Sequence, residues 1–155
     1  MFRPLKIQEN PRKSKKIQEN PRKSYQLAVE CKVSGKFVGT ICLRLEGNQQ
    51  ASIGCAFSRA SQGDKLSYEA ALALADFGFS ELGIHRIYAK TISRNLPAIK
   101  LCKSLGMRQE AHFREHRFFK GQWWDTVIWQ SFELNGKTQQ NLKNGFLFIN
   151  ESFQK

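Results

Sequence analysis

Apolar and polar residues change period several times along this chain. From Tyr25 to Val33 they alternate (Tyr25, Leu27, Val29, Cys31, Val33), the period of a strand with one buried face, and Ser34-Gly35 supplies a tight turn. A second strand follows through Phe37, Ile41, Leu43 and Leu45. Glu46-Gly47-Asn48 turns the chain into a third, opening at Ser52, where Ile53, Cys55 and Phe57 alternate with small or polar residues. After the polar loop from Ser58 to Lys65 the spacing shifts: Leu66, Ala70, Leu74 and Phe77 form the apolar stripe of a helix. Asp64 or Ser67 is placed to cap it, and Glu69 sits in its first turn, where the macrodipole favours an acid. His85 to Ile92 reads as a buried strand. Asn95 caps a second helix with Pro97 in its first turn, Ala98, Leu101, Cys102 and Leu105 on its inner face, and Gly106 as its stop. Met107 to Phe119 and Gln122 to Phe132 read as long strands joined at Lys120-Gly121. A meander followed by strand, helix, strand, helix and strands predicts an α+β fold: a mixed, mostly antiparallel central sheet with two main helices.

The regular pattern covers residues 25–132, the predicted domain, and 155 residues suffice for one real core. Residues 6–15, KIQENPRKSK, recur almost verbatim as 16–25, KIQENPRKSY, too few copies for a solenoid. Each copy carries an Asn-Pro step that blocks a helix. Residues 1–24 are therefore expected to be a basic, partly disordered arm, its first copy an extra. They hold eight Lys and Arg against Glu9 and Glu19, and so supply half of a net charge of +12. Such a field suits coenzyme A, acidic protein tails or RNA, but the arm lacks the interleaved aromatics of a nucleic-acid binder. Residues 133–155 form a tail whose apolar run Phe146 to Ile149 needs a partner or remains a sticky edge. With 41% hydrophobic and 25% charged residues the chain is globular. No apolar run is long enough to span a membrane, and the basic start lacks the apolar segment of a secretory signal. Cys31, Cys42, Cys55 and Cys102 lie inside apolar patterns without C-x-x-C spacing, reading as reduced core thiols of a cytoplasmic protein, with no metal site.

The loop feeding the first helix directs unpaired N–H groups to one point, which attracts phosphate. Neither GxxxxGK[ST] nor GxGxxG is present. The segment Gln62-Gly63-Asp64-Lys65-Leu66-Ser67, followed by Tyr68-Glu69-Ala70, resembles the acetyl-CoA-binding motif of the GNAT N-acetyltransferases, in the branch typified by the ribosomal-protein N-terminal acetylases. HRIYAKTISRNLPAIKLCKSLGMRQEAHFRE and KGQWWD resemble the later part of the same branch in order and spacing. Two departures stand out: Lys65 replaces the first motif glycine and Ser67 the second small residue. Lys65 is either a defect, if the position needs positive φ, or a point donor to the pyrophosphate. The first strand and two helices that precede the meander in that family are not evident, leaving an open sheet edge for a homodimer or the C-terminal tail to cover.

The resemblance implies acetyl-CoA as co-substrate, without metal, and direct attack of a primary amine on the thioester, so that the protein supplies positioning, an oxyanion donor and proton handling. It implies that the backbone of Phe57 and Ser58 pairs with the pantetheine arm, that Gln62, Gly63, Asp64, Lys65, Leu66 and Ser67 hold the pyrophosphate, and that Asn95 contacts the cofactor. The positions where the family carries a hydroxyl for the leaving thiolate are Ala98 and Cys102 here; Cys102 donates weakly at best and otherwise packs the core. His112, Glu115 and His116 are the candidate bases, with His112 and His116 on one strand face and Glu115 on the other. Trp123 and Trp129 are expected to pack on the sheet and Asp125 to close the hairpin. The acceptor expected is a protein N-terminus, then a small-molecule amine. The rival readings are a catalytically weak relative that keeps coenzyme binding or only the fold, and a basic RNA-associated module.

Overall fold

The computed structural model describes residues 5–9, 23–61 and 65–132. In chain order they form β1 (Leu5–Glu9), β2 (Ser24–Cys31), β3 (Phe37–Glu46), β4 (Gln50–Phe57), a single 3-10 turn at Arg59–Ser61, α1 (Leu66–Ser80), β5 (Arg86–Ile92), α2 (Leu96–Ser104), β6 (Arg108–Phe119) and β7 (Gln122–Phe132). One seven-stranded sheet holds the strands in the order β1-β2-β3-β4-β5-β7-β6. Among the described strands only β4 and β5 pair in parallel; the other neighbours are antiparallel. Parallel neighbours need a long crossover, and α1 supplies it. The mixed, mostly antiparallel α+β sheet with two helices is the architecture the spacing predicts.

The core lies between α1 and one sheet face. Leu27, Val29, Ile41, Leu43, Ala51 and Ile87 meet Ala70, Ala71 and Leu74 there. Gly78 lets the helix lie close: a Cβ at that position would stand 3.1 Å from both Ile87 Cδ1 and Leu43 Cδ2. Strand alternation sends Gln26, Thr40, Cys42, Ser52 and Tyr88 to the opposite face.

The N-terminal expectation is corrected over Leu5–Glu9. This stretch does not stand apart as an arm but pairs antiparallel along β2, from Leu5↔Cys31 to Glu9↔Leu27. The edge expected to be open is therefore filled, and the physical reason is the row of unpaired N–H and C=O groups that β2 would otherwise present. Five alternating residues among basic neighbours are a short signal. The second copy of the repeat over residues 16–22, and the tail 133–155, lie outside the described residues. Deleting residues 6–15 joins Leu5 to Lys16 and restores the same strand sequence with a shorter connection. The expected result is a retained fold, more stable in urea unfolding by about 0.5–1 kcal/mol, because a shorter loop costs less to close; a molten or unfolded product contradicts it.

Candidate functional site

The two parallel strands part soon after they meet. Pairing between β4 and β5 is confined to Gln50↔Arg86, Ala51↔Ile87 and Ser52↔Tyr88. Beyond it β4 stays bonded to β3 as far as Gly39↔Phe57, while β5 stays bonded to β7 as far as Ile92↔Thr126. A wedge opens between Ile53–Phe57 and Ala89–Ile92. Which backbone groups face it follows from parity, because successive residues of a strand direct their N–H and C=O to opposite sides. Ser58 donates its N–H to the Val38 carbonyl at 3.0 Å, so Ser58, Ala56 and Gly54 bond towards β3, and Phe57, Cys55 and Ile53 face the wedge. This corrects the expectation for Ser58. Its N–H is committed to β3, its carbonyl accepts from Ser61 N–H at 3.0 Å, and its hydroxyl bonds that of Ser61 at 2.7 Å. Phe57 remains available, and Cys55 joins it; the same alternation that marked the strand identifies Cys55 as the second open position. Cys55 is also exposed, not a core thiol, because β5 has moved away from it. Gly39 holds Phe57 in place: a Cβ there would fall 2.5 Å from the Ala56 carbonyl oxygen.

At the end of the same loop, α1 begins on Lys65 with φ 56° and ψ 5°, and no side chain caps it. Ser67 thus does not act as the cap. The first intrahelical bond runs from Glu69 N–H to the Lys65 carbonyl at 3.0 Å, which leaves the N–H groups of Leu66, Ser67 and Tyr68 at the positive end of the helix. Burial raises the Glu69 carboxyl above its ordinary pKa, and the Lys65 ammonium offsets part of that rise. Gln62, Gly63 and Asp64 lie outside the described residues. A left-handed conformation is strained for lysine and easy for glycine. Lys65→Gly is expected to stabilise the fold by about 1 kcal/mol in chemical unfolding; a loss of stability would mean that the lysine side chain outweighs its backbone strain.

Across the wedge, α2 starts on Asn95, whose Oδ1 accepts from Ala98 N–H at 3.3 Å. Its side-chain NH₂ is left for another group. Cys102 is 5% exposed and part of the core. Burial, then the neighbouring Cys55, pushes its thiol pKa up to about 11.

The third part of the site is the β6–β7 hairpin. Its register slips between Phe113 and Arg117, opposite Thr126 and Trp124, and Glu115 takes φ 44° in this bulge. Asp125 holds the bulge: its Oδ1 accepts from Glu115 N–H at 2.8 Å, and its Oδ2 bonds His112 Nε2 at 2.8 Å. The amide first and His112 second lower its pKa. His116 Nδ1 pairs with Thr126 Oγ1 at 3.0 Å. Asp125 and Thr126 are neighbours on one strand, so the bulge puts their partners His112 and His116 on opposite faces. Unbroken alternation predicts both on one face; the bulge separates them. His116 lies on the face away from the helices; Glu115 marks the kink. Trp129 packs as expected at 7% exposure, but Trp123 is 57% exposed against Phe118, with ring centroids 5.3 Å apart. β5 reaches β7 only from Thr126 onward, so no strand lies on that side of Trp123. Among the described residues no helix is long and apolar enough to cross a membrane, and no three His, Cys, Asp or Glu side chains cluster as metal ligands.

The sequence and the fold are shared with other proteins. The chain is 32% identical over 87 residues to the uncharacterised N-acetyltransferase YnaD of Bacillus subtilis, a match covering 56% of this chain and 51% of that protein. The chain thus spans about half the length of this curated relative. Among solved structures, the ribosomal-protein-S5-alanine acetyltransferase of Vibrio fischeri superposes with a TM-score of 0.65 at 21% identity, over 73% of this chain and 64% of that one. A spermidine N-acetyltransferase SpeG chimera from Vibrio cholerae and hSSAT gives a TM-score of 0.68 at 21% identity, over 79% of this chain and 72% of that one. These two share the fold. The model of the acetyltransferase (GNAT) domain matches residues 4–108, from β1 through both helices, and the chain belongs to that family.

Proposed function

We propose that this chain binds acetyl-CoA in the β4–β5 wedge and transfers the acetyl group to a primary amine. The observation that carries the reading is the wedge itself: the open edge of β4 at Ile53, Cys55 and Phe57 presents the donors and acceptors of a strand without a partner. An amide-bearing pantetheine arm matches such an edge as a surrogate strand. At one end of it the N–H groups of Leu66, Ser67 and Tyr68, with Lys65 and the loop over Gln62, Gly63 and Asp64, suit a diphosphate. Across the same open end, the NH₂ of Asn95 and the start of α2 are placed to contact the arm.

The chemistry asks little more of the protein than position. The amine nitrogen adds to the thioester carbonyl, the C–S bond breaks, and one proton leaves the amine. His116 is the base we favour over His112 and Glu115. His112 is engaged with Asp125 on the other face, and Glu115 lies in the bulge. His116 Nδ1 is held by Thr126, so its Nε2 is left for the amine on the face from which an acceptor reaches the wedge. Cys102, protonated at neutral pH but enclosed in the core, is assigned to packing.

The acceptor we favour is a protein N-terminus, with a small-molecule amine second. A weak relative that keeps only coenzyme binding is the second reading, favoured by Lys65 in its strained conformation and by Ala98 where a hydroxyl would assist the leaving sulfur. Calorimetry with acetyl-CoA and a thiol-release assay over amines and peptides separate the readings. Binding with turnover supports transfer, binding without turnover the weak relative, and no binding at millimolar acetyl-CoA overturns both.

A further inference from the structure

The wedge has a second mouth, on the sheet face away from α1 and α2, and its charge bears on which amines are taken. Ile87 is buried in the core against α1, and Ala89, two residues on, also packs there. Alternation therefore turns Tyr88 and Lys90 to the other face. The last β4–β5 pair is Ser52↔Tyr88, so Lys90 is the first side chain on that face beyond the point where the strands part. It is exposed, and no carboxylate pairs with it among the described residues.

Its surroundings offer nothing to offset the charge. On the same face of the sheet a cavity of about 290 Å³ runs over β2, β3 and β4, lined there by Gln26, Ala28, Thr40, Cys42, Gly54 and Ala56. None of these is a carboxylate or an amine. Two acids near this face, Glu46 and Glu110, are occupied: Tyr88 donates its hydroxyl to Glu46 at 2.7 Å, and Arg86 forms an ion pair with Glu110. This face thus carries an uncharged surface over β2–β4 on one side of the wedge and Lys90 on the other.

Resting on the acetyl-transfer reading above, we infer that Lys90 is a specificity-determining residue: it excludes polyamines and selects amines that carry a carboxylate close to the reacting nitrogen, such as a peptide N-terminus followed by an acidic residue. A polyamine brings a second ammonium next to Lys90, and Glu46 and Glu110 are already engaged. Two unit charges about 6 Å apart at a protein surface change relative binding by roughly tenfold to a hundredfold. An acidic second residue gains by the same interaction, and both effects weaken with added salt.

The test is thiol release from acetyl-CoA by the full chain with three acceptors: spermidine, a tetrapeptide beginning Ser-Glu and one beginning Ser-Ala. Each is assayed with the wild type, Lys90→Met and Lys90→Glu, at low and high salt, with thermal midpoints as a check on folding. The expected result is kcat/KM at least tenfold higher for the acidic peptide than for spermidine, carried in KM. Lys90→Met should narrow that ratio, Lys90→Glu should invert it, and salt should compress all three. A wild type that prefers spermidine, or a ratio that ignores both substitutions, overturns the inference while leaving acetyl transfer standing. No thiol release with any acceptor removes the transfer reading, and the inference with it.

Discussion

Cys55→Pro is expected to leave the fold intact and to weaken acetyl-CoA binding about tenfold, whereas Gly54→Pro, one residue earlier, costs about 3 kcal/mol of stability. The two positions send their N–H groups to opposite sides of β4. Gly54 sits opposite Cys42, and the parity fixed by the Ser58–Val38 bond makes its N–H part of the β3–β4 ladder. Proline there removes a ladder bond inside a sheet. Cys55 directs its N–H into the wedge, where proline is tolerated as it is on an outer strand. Its side chain is exposed, so little packing is lost, and Cys55→Ala serves as the control for the thiol. Calorimetry with acetyl-CoA and urea unfolding of the three variants measure both effects. Equal loss of stability at positions 54 and 55 would mean that Cys55 N–H is bonded within the protein and the wedge edge is not open.

Stability is expected to fall as the solution is made alkaline, by roughly 2–3 kcal/mol across the window set by Cys102. The sign follows from where the proton sits. Below pH 9.0, the ordinary value for the thiol, Cys102 is protonated folded or unfolded, and its contribution is fully present. Between 9.0 and about 11 the unfolded chain releases the proton while the folded chain keeps it, because burial disfavours the thiolate. The contribution is lost as pH rises through the folded value. Tyr88, also raised by burial first and by Glu46 next, slopes the same way at higher pH. Urea midpoints from pH 8 to pH 11 should decline in the wild type and decline less in Cys102→Ala, whose midpoint at pH 8 starts lower for the lost packing. Parallel curves would show that the thiol is not held in the core.

The period of apolar residues carried most of the fold. Three meander strands, two helices and the last hairpin follow from spacings of two and of three to four, because those spacings decide which face is buried. What they do not carry is any place where pairing itself departs from regularity. The wedge exists because β4 and β5 bond to different neighbours beyond Ser52 and Tyr88, a property of sheet order that no single strand displays. The bulge at Phe113–Arg117 inserts residues without altering composition, and it separates His112 from His116. β1 is five residues long, and its identity depends on the edge it fills. Local position was legible where strand or helix period decides it, as at Phe57, the last residue of β4, and Asn95, the cap of α2. It was not legible where a neighbour decides, as at Ser58, whose amide Val38 claims, or at Lys90, whose isolation depends on Tyr88 and Arg86 having taken the nearby acids.

The central claim is that the edge of β4 is an empty place in the sheet shaped for a thioester-bearing arm. Amide hydrogen exchange read residue by residue, with and without saturating acetyl-CoA, measures it directly. The account predicts that Ala56 and Ser58 are protected from the outset, while Cys55 and Phe57 exchange quickly alone and slow by at least tenfold when the ligand is bound. Protection of Cys55 and Phe57 in the free protein, or their indifference to a ligand that saturates elsewhere, would contradict it.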